Sequence, residues 1–340
     1  MIRLSVLDQS VAVTGRSADA SIRETLALAQ HCEALGYERF WVSEHHSHPT
    51  IVGSAPEVLM GAIAATTQRI RIGSAGVMLP HYSALKVAEQ FRVLEALAPG
   101  RIDLGVGRAP GSDGRTAQLL NPNARHAADD FPRQVRELQA WVNGVELPEG
   151  HPGRGVTAQP DGPTAPTLWM LGSSNYGAQL AAHYGLPYAF AYFITDGQGA
   201  EEALAMYRDL YRPSAQHLQP QAALCVWALA ADTEAEAWHH FSGRERWKID
   251  RNRGALGPLQ SPEEVACKPY GFAEQTEAAR LRSTAVVGTA EQVAGKLRAL
   301  AEAMAVEELV VITWAHDPAA RRRSYELLAA QLRAPPARAR

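Results

Sequence analysis

Short apolar runs alternate with longer amphipathic stretches from one end of the chain to the other. The runs at 3–7, 39–42, 70–74, 102–106, 167–171, 188–192, 222–230 and 309–313 are mostly rich in β-branched or aromatic residues and bounded by Gly, Pro or charges, which predicts strands. Helical periodicity fills 19–35, 56–67, 84–97, 126–142, 174–183, 200–211, 233–248, 291–304 and 318–332. Gly36 stands as a C-terminal stop and Pro56 as a first-turn residue. Repeated strand–helix units without a block of hairpins argue for a parallel sheet covered by helices. Their number and the chain length of 340 residues favour an α/β fold closed into a (β/α)8 TIM barrel, with insertions at its C-terminal face. An open doubly wound sheet is the alternative, but Asp8-Gln9-Ser10 follows the first strand where a dinucleotide fold would place GxGxxG.

Three connections, 107–125, 144–166 and 249–285, are too long for plain turns. The second is rich in Pro and Gly and reads as an exposed link. Insertions that follow strands belong at the mouth of a barrel, so 109–124 and 250–284 are the predicted wall and lid of a site. One barrel domain is expected over 1–332, with an insertion at about 249–285 and a disordered tail over 333–340.

Charge narrows the function by exclusion. The 33 basic and 36 acidic residues leave −3, so no basic field for nucleic acid is expected. The run Arg321-Arg322-Arg323 is read as a solvated helix face. No window approaches the ~20 apolar residues that cross a bilayer, and the apolar start is broken by Arg3 and Asp8, so neither membrane nor targeting segment is expected. Cys32, Cys225 and Cys267 are far apart and odd in number, which suits a reducing cytoplasm better than a disulfide framework.

The chemistry concentrates where predicted strands end. FWVSEHHSHP closes the second with Glu44, His45, His46 and His48. This cluster has three readings: metal ligands, an imidazole acting beside an organic cofactor, or histidines that hydrogen-bond loop carbonyls. Adjacent side chains diverge at a strand end, so the organic cofactor is preferred and no metal is assigned. Ala75 and Gly76 end the third strand, small enough to let a ligand approach. Gly105, Gly107 and Arg108 end the fourth, a free backbone beside a guanidinium fork that suits phosphate; an Arg108–Asp113 pair is the structural alternative. Gly172, Ser173, Ser174 and Asn175 open a helix after the fifth, whose unpaired N–H groups suit the same phosphate, unless Ser173 or Ser174 simply caps it. Arg108 and the Ser173 turn are therefore expected to form two halves of one phosphate site. No Ser-His-Asp order, Walker loop or HExxH is present.

Taken together, GYERFWVSEHH, RIRIGSAGVMLPHYSALKVAEQ, APGRIDLGVGRAPG and LWMLGSSNYGAQLAAHYGLPYAF resemble the bacterial luciferase-like flavin-dependent monooxygenases, in particular their single-chain members, over nearly the whole chain. The resemblance implies a TIM-barrel oxidoreductase that holds reduced FMN at the C-terminal mouth and oxygenates a small organic substrate with O2. It implies His45 as the catalytic residue, with Glu44, Ala75, Gly76, Arg108, Gly172, Ser173 and Tyr176 at the cofactor. Arg108 and Ser173 would take its phosphate, and Tyr176 stands where the family often has Thr. A non-proline cis peptide is implied at Ala75–Gly76, against the flavin. Gly107 replaces the reactive Cys of luciferase, which counts against light emission. The resemblance also favours a homodimer through the early barrel helices. With no dinucleotide fingerprint in the chain, a separate NAD(P)H-dependent flavin reductase is the expected source of reduced FMN. Competing readings are an F420-dependent reductase or dehydrogenase on the same barrel, a non-catalytic flavin-binding protein, and a metal-dependent hydrolase.

Overall fold

The apolar runs are apolar on both faces because each strand is covered twice, by helices outside and by packed side chains inside. The computed structural model describes residues 2–333. Its strands, in chain order, are β1 (Arg3–Asp8), β2 (Arg39–Val42), β3 (Arg71–Ser74), β4 (Val77–Met78), β5 (Ile102–Gly107), β6 (Thr167–Gly172), β7 (Tyr188–Phe190), β8 (Ala222–Ala231), β9 (Val286–Thr289) and β10 (Glu308–Ile312). Neighbours run β10-β1-β2-β3-β5-β6-β7-β8, and β8 pairs back with β10, every pairing parallel. That closure makes the fold the predicted (β/α)8 barrel and not an open sheet.

Side chains alternate across the barrel wall with period two. On β8, Ala223, Cys225 and Trp227 belong to the inner cluster, whereas Leu224, Val226 and Ala228 pack outward against helices. The outer layer buries Phe91, Phe131, Tyr207 and Tyr325 completely. Inside, the Trp41 and Trp169 rings meet edge to face at 5.1 Å. Gly73 makes room for them, since a Cβ there would lie 2.5 Å from the Trp41 ring.

Five strands are tied together at their N-terminal ends by a buried ionic network. Arg39 donates from Nε to Glu308 at 2.7 Å and from Nη1 to Asp103 at 2.8 Å. Asp103 also accepts from Trp41 Nε1 and from Arg71, and Glu308 accepts from Ser5 Oγ. Burial alone would raise the Asp103 carboxyl, but the guanidinium charges of Arg39 and Arg71 outweigh it and hold it below the usual carboxylate range.

The structure departs from the sequence expectations in several places. β4 pairs only with the end of β5, and β9 continues the far half of β8; neither was predicted. The strand expected over 188–192 stops at Phe190, because Tyr192–Thr195 turns into one helical turn. The helix expected from 126 begins at Phe131, with Pro132 in its first turn. The long insertions contain helices: Gly114–Leu120, capped by Asp113, then Pro262–Ala266 and Phe272–Thr284. The link 144–166 has neither strand nor helix, and buried Leu147 and Ala158 pin it to the core. The Arg321–Arg323 run is not one solvated face. Arg321 is buried and pairs with Asp8 at the end of β1, while exposed Arg323 pairs with Asp232 and Glu326. Of the tail expected over 333–340, residues 334–340 lie outside those described.

Candidate active site

Parallel strands deliver all their C-terminal ends to one rim, so residues far apart in sequence meet there. A cavity of about 570 Å³ opens at this mouth, within the range of small-molecule sites. Of the residues singled out in the sequence, His45, Ala75, Gly76, Arg108, Gly172, Ser173 and Tyr176 all line it. Glu44 does not. It lies buried behind the wall, where it accepts hydrogen bonds from the Met78 backbone N–H at 3.2 Å and Tyr82 Oη at 2.7 Å, and contacts His46 Nε2 at 2.8 Å.

The histidines after β2 separate into different tasks. His46 joins Glu44, and His48 Nδ1 accepts from the backbone N–H groups of Thr50 and Ile51. His48 thus bonds backbone N–H groups and not the carbonyls of the structural reading, and it also lines the cavity. His45 faces the cavity, its backbone N–H donating to the Gly53 carbonyl and its buried Nδ1 without a hydrogen-bond partner among the described residues. Burial, reinforced by the neighbouring His48 and His46, pushes its pKa down to about 4. At neutral pH its imidazole is therefore uncharged, with one N–H to give and one lone pair to receive.

Beside it the chain narrows to a seam of small residues. The Ala75–Gly76 peptide is cis, as the sequence resemblance implied. A Cβ on Gly76 would lie 2.6 Å from Leu171 Cδ1 and 2.9 Å from the Gly105 carbonyl, so β3, β5 and β6 approach here only because that position is glycine.

The phosphate halves also meet. The Arg108 guanidinium lies 4.1 Å from the centre of the Tyr176 ring. It has no carboxylate partner among the described residues, because Asp113 caps its own helix, accepting from the Arg115 and Thr116 backbone N–H groups and the Thr116 hydroxyl. Tyr176 sits in the first turn of the helix Asn175–Tyr184, whose N-cap Ser174 makes no side-chain cap. Both structural alternatives, the Arg108–Asp113 pair and simple serine capping, are therefore absent. An unpaired guanidinium beside open helical N–H groups is a fit for a phosphate.

The opposite wall was missed from the sequence. The predicted wall and lid supply only Ala109, Gly111 and Arg251. The larger contribution comes from the helix Glu234–Asn252, through Arg244, Trp247 and Lys248, from Trp227 within β8 and from Trp314 just after β10. Trp247 and Trp314 meet edge to face at 4.7 Å, fixed by hydrogen bonds from Trp247 Nε1 to Thr50 Oγ1 and from Trp314 Nε1 to Gln9. A signal for that wall existed: Arg244, Lys248 and Arg251 stand at helical spacing on one face, around Trp247.

Known proteins place this geometry. Residues 2–307 match the family model described as luciferase-like monooxygenase. The N-acetyl-S-alkylcysteine monooxygenase of Bacillus subtilis (strain 168) is 38% identical over 331 residues, which are 96% of this chain and 97% of that protein. The crystal structure of apo-MsnO8 is 36% identical, with a TM-score of 0.88 over 97% of this chain and 98% of its own. Two more distant structures share the fold. One is the oxygenating constituent of 3,6-diketocamphane monooxygenase from a Pseudomonas putida plasmid, in complex with FMN, at 19% identity and TM-score 0.70, covering 97% of each chain. The other is an F420-dependent secondary alcohol dehydrogenase, at 15% identity and TM-score 0.69, covering 98% of this chain and 99% of that one. With its barrel, its mouth and a match along almost its full length, the chain belongs to the luciferase-like monooxygenases, a family of oxidoreductases.

Proposed function

We propose that this protein is an FMN-dependent monooxygenase that inserts one atom of O2 into a small organic substrate. One observation carries the choice of cofactor: Arg108, with no carboxylate partner among the described residues, beside the open N-terminus of the helix Asn175–Tyr184, both on the wall of a largely apolar cavity. Arg108, Ser173 and the N–H groups of that first turn hold the phosphate, with Tyr176 supporting the guanidinium. Gly76, Leu171 and Met78 give the flat ring an apolar wall. The two electrons needed to reduce the second oxygen atom to water would come from reduced FMN.

The protein orients, shields and handles protons. Neutral His45 can donate a hydrogen bond at the reacting centre, or receive a proton there, without first losing one to bulk water. Trp227, Trp247 and Trp314 exclude solvent from the far side of the cavity. Glu44 acts from behind, fixing Met78 and Tyr82. Reduced FMN is delivered by a separate NAD(P)H-dependent reductase. Val58, Val93 and Leu97 leave apolar surface on the helices Pro56–Thr66 and Ala84–Leu97, which supports a homodimer through these early helices. Among the described residues no helix is long and apolar enough to cross a membrane, and a cytoplasmic enzyme is the reading that goes with three free thiols.

Incubating the purified protein with FMN and with F420, then measuring which is retained after gel filtration, tests the cofactor. Retention of FMN is the expected result. Retention of F420 with no affinity for FMN would make the protein a reductase or dehydrogenase instead.

A further inference from the structure

The mouth carries more positive charge than one cofactor phosphate uses. Arg108, Arg244, Lys248 and Arg251 all line the cavity, and no Asp or Glu does. Arg108 lies after β5, next to the phosphate turn after β6. The other three project from the helix Glu234–Asn252, which follows β8.

Arg244 is the unusual member. Only 8% of it is exposed, and its guanidinium lies 4.0 Å from the centre of the Trp227 ring. Among the described residues it makes no ion pair and no hydrogen bond to a carboxylate. The nearby Asp196 attracts it through charge but makes its contacts with Lys248 at 2.6 Å and Arg280 at 3.6 Å. Glu245, the next residue along the helix, is taken by Arg282 and Tyr270. Burying a cation with its donors unused is costly unless an anion completes it. Burial pushes Arg244 down to about 9, and burial with the Arg244 charge pushes Lys248 down to about 8; both remain cationic at neutral pH.

We infer that the helix Glu234–Asn252 bears a second anion subsite, centred on Arg244, which recognises the substrate as an organic carboxylate with an apolar body. The inference rests on the flavin reading, because it needs Arg108 to be committed to the cofactor. A single guanidinium fork matches the two coplanar oxygens of a carboxylate. Arg244 sits in the middle of its helix, where no free backbone N–H groups stand ready for a phosphate. Phe193, Ile194, Trp227, Trp247 and Trp314 supply the surface for the apolar body. Lys248 and the exposed Arg251 add positive potential that draws the acid in.

The test is calorimetric titration of the FMN-loaded protein with butyrate, octanoate, dodecanoate and phenylbutyrate, each against its methyl ester. At least one acid should bind about tenfold tighter than its ester, as a charge-assisted pair in a dry pocket requires. Arg244→Gln should erase that preference while leaving FMN affinity within about twofold of wild type. No acid preferred over its ester, or a preference unchanged in Arg244→Gln, overturns the proposal. So does a loss of FMN binding in Arg244→Gln as large as that in Arg108→Gln, which would assign Arg244 to the cofactor. Should Arg244→Gln not fold, Arg244→Lys decides: it keeps the charge without the fork and should lower the preference severalfold, and an undiminished preference overturns the proposal. If FMN fails to bind the wild type, the cofactor reading falls, and the same acid–ester comparison on the FMN-free protein still decides this one.

Discussion

Arginines of the N-terminal network and arginines of the cavity wall are held in opposite ways. At the N-terminal end Arg39 is locked between Asp103 and Glu308, and Arg71 joins Asp103 as well. At the C-terminal mouth Arg108 and Arg244 rest on aromatic rings with no carboxylate partner among the described residues. Asp103, by contrast, is completely buried and meets donors from two other strands, Arg39 and Trp41 of β2 and Arg71 of β3. Pairing separates these two sets of arginines, although Arg321 at the C-terminal end of β1 is paired as well, with Asp8. A partnered guanidinium stabilises only while its partner remains, whereas an unpartnered one has little to lose on replacement except what it was placed to bind.

Asp103→Ala puts that contrast under the greatest load. It leaves Arg39 and Arg71 without their shared counter-charge and should cost about 3–5 kcal/mol of stability, read from denaturant unfolding. A loss no larger than that of an exposed substitution would dissolve the distinction. His45→Ala comes next. It should lower turnover about 100-fold, the low end of what a positioned acid or base contributes, with FMN affinity nearly unchanged. Equal losses in turnover and in FMN binding would move His45 from the chemistry to the cofactor's support.

A smaller effect concerns pH. The unfolded chain protonates His45 near the ordinary imidazole value of about 6.5, while the folded protein resists until about 4. The folded state thus binds fewer protons across that window, and His45 withdraws stability as pH falls from about 6.5 toward about 4. NMR titration of the His45 ring should give a midpoint well below 6. A midpoint at or above the ordinary imidazole value would show the imidazole to be solvated or paired with a carboxylate.

Most of the barrel was legible because a covered parallel strand has to be apolar throughout, and β1, β2, β5 and β6 announce themselves that way. β4 was not, since a two-residue strand has no periodicity to read. β9 was missed in the short gap between the predicted insertion, which ends at 285, and the helix predicted from 291. Local chemistry could have opened that insertion: Ser261 and Glu264 form a capping box at the helix Pro262–Ala266. The same signal marks Thr233 and Glu236 at the start of the helix that walls the cavity.

The near half of the site was equally legible, because Arg108, Ser173 and His45 directly follow strands whose ends must share one rim. The far half was not. Arg244 sits well inside a helix, and only the path of that helix over the mouth, a tertiary fact, turns its basic face inward. Glu44 shows the converse: motif position put it with the cofactor, while packing put it one layer behind.

The most direct measurement is an FMN titration of the wild type and of Arg108→Gln, followed by flavin fluorescence, with an unfolding curve for each. The wild type should bind FMN, and the variant about 10–100-fold more weakly, the worth of one charge-assisted phosphate contact, at unchanged stability. FMN bound equally well by both proteins, or by neither, would contradict the assignment of this mouth to a flavin phosphate.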